Sequence, residues 1–107
     1  MKETALNIKP EHLEIVKEIL FKFIPDIEVW AFGSRVKFNN KEFSDLDLVI
    51  VGETKQSLAI MADLEEAFKE SDLPFKVDIL DYYNISDHLK KEINKTYFPF
   101  NKNLFPR

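Results

Sequence analysis

There is no cysteine in this chain of 107 residues. Disulfides and thiolate metal sites are therefore excluded, which is compatible with a reducing compartment. Glycine is scarce as well: Gly33 and Gly52 are the only two, so Gly33 is not one of many interchangeable loop residues. No apolar run approaches the roughly 18 residues of a membrane span. The opening MKETALNIKPEHLE has no apolar stretch of the secretory type. Together these point to the cytoplasm and to no membrane contact. Excess positive charge is also missing. A net charge of −4 argues against extended binding along nucleic acid, which requires a basic face. Two bound divalent cations would cancel that charge, so part of the acidity is expected to belong to a metal site.

What the chain does contain is ordinary for a globular protein, with 45% hydrophobic and 32% charged residues. Its length suits a single domain over residues 1–107 with one core. Helices and strands alternate. Pro10 to Phe23 reads as a helix, with Pro10 in the first turn and Leu13, Val16, Ile19, Leu20 and Phe23 at helical spacing. Ile27 to Phe32 is a strand with Ile27, Val29 and Ala31 on one face, and Trp30 and Phe32 are also expected in the core. A short helix is expected from Ser34, then an exposed loop around Asn39 and Asn40. Leu46 to Val51 is apolar on both faces beyond Asp47, hence a central strand. Ser57 to Lys69 reads as a helix burying Leu58, Met61, Leu64 and Phe68. Phe75 to Leu80 is a third strand, and Ser86 to Lys95 a last helix capped by Ser86. Tyr97 to Arg107 shows no periodicity. Its phenylalanines, Phe98, Phe100 and Phe105, suit either a docking surface or packing over the protein's own sheet. His12 and His88 read as surface positions.

The strongest signal is a spacing. Gly33-Ser34 is followed, after ten intervening residues, by Asp45-Leu46-Asp47 at the head of the apolar run Leu48 to Val51. Residues i and i+2 of a strand share a face about 7 Å apart, which sets Asp45 and Asp47 close enough to share divalent cations. Hard cations such as magnesium take carboxylate and phosphate oxygens. The plainer alternative makes Asp45 a turn end and Asp47 a solvated edge residue, but an unpaired charge entering a buried strand is costly. Gly33 lets a backbone approach a phosphate, and the Ser34 hydroxyl is a donor for one. In FKVDILD, Asp78 interrupts a β run, which disfavours aspartate. It is read as a third metal ligand, against an ion pair with Lys76. Asp81 reads as a turn residue and reserve ligand.

The segment WAFGSRVKFNNKEFSDLDLVIV, with VDILD after it, resembles the signature of the DNA polymerase β-type nucleotidyltransferase superfamily. The small size resembles its minimal nucleotidyltransferases, of the kind paired with a helical HEPN-domain protein. The resemblance implies an α/β (α+β) fold, a polymerase β-like mixed β-sheet flanked by helices. It carries the nucleotide-binding turn onto Gly33 and Ser34, and the catalytic, metal-holding acids onto Asp45, Asp47 and Asp78. Arg35 matches the turn too, either as a phosphate contact or as a brace of the loop. Where the family often has a second basic residue and a glycine, this chain has Lys37 and Phe38. The implied activity transfers a nucleoside monophosphate, AMP from ATP, to a hydroxyl with two magnesium ions. Larger members carry an added helical domain for the acceptor, for which this chain has no residues. The acceptor is therefore expected to be a tyrosine of a HEPN-type toxin, in a toxin–antitoxin pair, and association with another chain is expected. A second reading keeps the nucleotide site but neutralises the partner by occlusion, without catalysis.

Overall fold

A computed structural model describes residues 5–100, and the fold it shows is a single four-stranded sheet flanked by helices. In chain order the elements are α1 (Pro10–Phe23), β1 (Glu28–Phe32), α2 (Ser34–Lys37), β2 (Leu46–Val51), α3 (Leu58–Lys69) and β3 (Val77–Asp81). A 3-10 turn (Tyr82–Asn84), α4 (Asp87–Lys95) and β4 (Phe98–Phe100) follow. The strand order is β3-β2-β1-β4. β2 runs antiparallel to β1 and parallel to β3, so the sheet is mixed, and α3 provides the crossover that parallel neighbours require.

The helix boundaries follow local chemistry. Pro10 opens α1, where its missing N–H costs nothing. Ser57 and Ser86 cap α3 and α4 by accepting from the N–H groups of Ile60 and Leu89. Strand alternation then divides the side chains between two layers. Val29 and Ala31 of β1, Leu46, Leu48 and Ile50 of β2 and Ile79 of β3 pack against Val16 and Leu20 of α1 and Leu64 and Phe68 of α3. The opposite face carries Trp30 and Phe32, Asp47 and Val49, and Asp78 and Leu80.

Several expectations are corrected. Trp30 is not a core residue but lies half-buried on that opposite face, stacked on Tyr97 with ring centroids 4.0 Å apart. Its immediate neighbours Val29 and Ala31 take the core side, and alternation leaves Trp30 the other. Leu58 is 84% exposed. It sits in the first turn of α3, about 100° around from the Leu64–Phe68 stripe, beyond reach of the sheet. His12 is half-buried, its ring edge-on to Phe75 at 5.6 Å. The third strand begins at Val77 rather than Phe75, and the irregular tail contributes β4, an edge strand paired with β1. Phe100 in it is fully buried, so this part of the tail packs within the protein's own sheet. Phe105 lies outside the described residues.

Candidate active site

The site grows from the meeting of three strands at one end of the sheet. Phe32 of β1 pairs with Asp47 of β2, and Asp47 pairs with Asp78 of β3. A single row across the sheet therefore reads Phe32, Asp47, Asp78, all on the face away from α1 and α3. Asp45 precedes β2 and is exposed. Among the described residues no three acids or imidazoles stand close enough to form a ready metal cage. Asp45 and Asp78 nevertheless act on Asp47. The Asp47 carboxyl is pushed up to about 6, first by burial and then by the negative charges of Asp78 and Asp45. Lys76 also contacts Asp78, at 3.5 Å between two largely solvated side chains, so the ion pair expected as an alternative exists beside the carboxylate row. Exposed pairs of this kind are weak, and Asp78 is left open to other partners.

Gly33 meets this row from β1. Its φ of +84° and ψ of −151° lie where side chains are excluded, and a Cβ built there would stand 2.6 Å from Asp47 Oδ2. The turn thus presses bare backbone against the central carboxylate. Ser34, next in sequence, is half-buried, and its hydroxyl forms no hydrogen bond among the described residues. Phe38, standing where the family glycine is common, caps α2 in the left-handed conformation at φ 60° and is exposed. The loop keeps a turn that glycine would make with less strain.

Arg35, which the sequence left between a phosphate contact and a brace of the loop, is buried, and its guanidinium is directed to backbone carbonyls. Nε and Nη2 donate to Ser44 O, Nη2 also to Glu42 O, and Nη1 to Asn7 O, all between 2.8 and 3.1 Å. The plane covers the Phe75 ring at 4.2 Å. Arg35 is the brace of the loop. It ties the glycine turn to Ser44, immediately before Asp45, and to Phe75, two residues before β3. Neither Phe75 nor the carbonyl set was recognisable beforehand, because backbone acceptors leave no sequence mark. Asp81, the reserve ligand, is excluded from the site. It is buried on the helix-covered face, where its carboxylate accepts from the N–H groups of Gln56 and Tyr83.

A cavity of about 720 Å³ begins at Phe32, Asp47 and Asp78 and runs around β3 to Phe68 and Lys69 of α3. The donor chemistry suits a divalent cation: three hard carboxylates, of which the central one has its pKa raised by burial first and then by the charges of the other two. No helix among the described residues is long and apolar enough to cross a membrane.

Known proteins share this fold. Residues 14–98 match the family described as polymerase beta nucleotidyltransferase. The probable protein adenylyltransferase MntA of Haemophilus influenzae is 50% identical over 92 residues, covering 86% of this chain and 81% of the relative. A crystal structure of a toxin–antitoxin with AMP-PNP is similar in fold, with a TM-score of 0.66 at 20% identity over 80% of this chain and 69% of that one. A complex of tri-AMPylated HEPN toxin with MNT antitoxin from Shewanella oneidensis gives 0.61 at 18% identity, over 88% and 75%. A family match across most of the sequence and a relative half identical leave one conclusion: the chain belongs to the polymerase β nucleotidyltransferase family.

Proposed function

We propose that this protein is a protein adenylyltransferase that moves AMP from ATP onto a tyrosine hydroxyl of a HEPN-type toxin and so acts as its antitoxin. The single observation that carries the reading is the pairing of Asp47 with Asp78 across β2 and β3, with bare Gly33 backbone pressed on Asp47. The half-identical relative is a probable protein adenylyltransferase, and the structurally similar complexes include an AMPylated HEPN toxin with its antitoxin.

Asp45, Asp47 and Asp78 are the residues that would hold divalent cations, two magnesium ions in our reading. Bound there, such ions would neutralise charge on the triphosphate and ease ionisation of the acceptor hydroxyl. The chain's own groups do the rest. Gly33 gives the phosphate chain room to lie against the backbone, and the Ser34 hydroxyl donates to a phosphate oxygen. Asp47, with Asp45 and Asp78 on either hand, would share the cations with both and so fix where the α-phosphate lies. Asp78, at the open side of the row, takes the proton from the incoming hydroxyl. That oxygen forms its bond to the α-phosphorus as the bond to the bridging oxygen breaks, and pyrophosphate leaves with the electron pair.

The test is transfer of label from α-labelled ATP to a purified HEPN toxin. The wild-type protein labels the toxin on tyrosine, and Asp47→Ala lowers the rate by about 10²–10³-fold or more while the circular dichroism spectrum is kept. Full labelling by that variant would refute the reading.

A further inference from the structure

β3 is the outermost strand on its side of the sheet, and among the described residues no strand pairs with its outer edge. The phase of the β2–β3 ladder is set by the Leu46 N–H donating to Lys76 O, with Leu46 opposite Val77. Residues 76, 78 and 80 therefore turn their backbone groups inward to β2. Val77 and Ile79 turn theirs outward. An edge of this kind is a ready template for another strand, and proteins normally blunt it. Here the one edge charge of the protective type, Lys76, leans onto Asp78 at 3.5 Å.

The edge is also the rim of the site. The cavity that starts at Asp47 and Asp78 passes over β3 and continues on its other side as a hollow lined by Leu73 and the buried Phe68 and Phe75, together with Glu65 and Lys69. A chain added to β3 would place alternate side chains on the two faces. One set would point toward Asp78, the next toward Phe68 and Leu73. Main-chain pairing with pockets for alternate side chains is a general mode of peptide recognition.

We infer that the acceptor protein presents its modified residue in an extended segment that adds to the outer edge of β3 through the backbone groups of Val77 and Ile79. This rests on the adenylyltransferase reading above and adds to it how the acceptor is held. The hydroxyl-bearing side chain lies on the Asp78 face, and apolar side chains immediately before and after it fill the hollow by Phe68 and Leu73. Sequence preference in the acceptor is therefore an apolar–tyrosine–apolar triplet.

Amide hydrogen exchange on the protein alone and with a purified HEPN toxin tests the geometry directly. The Val77 and Ile79 amides exchange freely in the protein alone and slow at least tenfold in the complex. Unchanged exchange at both, in a complex shown to form, overturns the inference, as does protection already present in the protein alone from edge-to-edge pairing of two copies. Val77→Pro removes one outward N–H at an edge position that tolerates proline. It should raise KM for the toxin about tenfold while ATP binding by calorimetry stays unchanged, and Val77→Thr, which keeps the N–H, should behave as wild type. An unaltered KM in a folded Val77→Pro variant also overturns the inference. Absence of transfer by the wild-type protein would instead defeat the functional reading, and the exchange result would still decide the docking mode.

Discussion

Asp47 carries the cost of assembling the site. Its folded pKa of about 6 lies above the ordinary carboxylate value, so the folded state holds that proton more tightly than the unfolded chain does. Stability contributed at this position is therefore present at low pH and lost as pH rises from about 4 through 6. Thermal melts in chelator should show it. Asp47→Asn should raise Tm above pH 6 relative to wild type, with the difference vanishing below pH 4. Magnesium should raise the wild-type Tm at pH 7 and move that of the variant far less. Gly33 is constrained twice, by its positive φ and by the approach of Asp47. Gly33→Ala should cost about 1–2 kcal/mol in denaturant unfolding and, by displacing the Asp47 carboxylate, slow transfer as well. Gly33 stood out in the sequence because the chain has only one other glycine. The backbone angles that make it irreplaceable did not.

The element that joins the residues of the candidate site is the loop between α2 and β2, and Arg35 holds it. One guanidinium reaches Asn7, Glu42, Ser44 and the Phe75 ring, so the approach to β2 and the approach to β3 share a single fastening. Arg35→Met keeps the length and apolar stem but leaves those carbonyls without their donors. It should lower stability by about 2–4 kcal/mol in urea unfolding and make the stretch from residue 38 to 44 the first to be cut in limited proteolysis. Helices and central strands were legible because their periods and caps are local: Ser57, Ser86, Pro10 and the run from Leu46 to Val51 each announce a boundary. Arg35 was equally balanced between phosphate and loop in the sequence. Burial decided it, since a guanidinium enclosed among carbonyls has few donors left for a ligand. Leu58 misled for the opposite reason, being apolar at a plausible spacing yet one turn short of the sheet.

For the molecule as a whole, the decisive pieces come from distant parts of the chain. β4, from a stretch with no readable period, completes the sheet beside β1 and buries Phe100 entirely. Phe100→Ala should cost about 3–5 kcal/mol in thermal or urea unfolding, more than truncating exposed Phe21 or Phe43. A loss below about 1 kcal/mol would mean that the last strand is an ornament of the sheet rather than part of its core. Sheet order likewise separates β2 from β3: β2, enclosed on both sides, carries Asp47, and β3, open on one, carries Asp78 at the edge of the sheet.

The order of residues alone determined that this is an alternating α/β chain with a small-residue turn and three strand-associated acids, because helix caps, strand alternation and the Gly33–Asp47 spacing act over a few residues each. It also determined the family. Only the folded sheet decided that Asp78 rather than Asp81 joins Asp47, because the two lie three positions apart and alternation sends them to opposite faces once β3 is seated in register on β2. Only burial decided that Arg35 braces the loop, because the carbonyls and the Phe75 ring that surround its guanidinium converge from three separate segments and have no signature until the chain is closed.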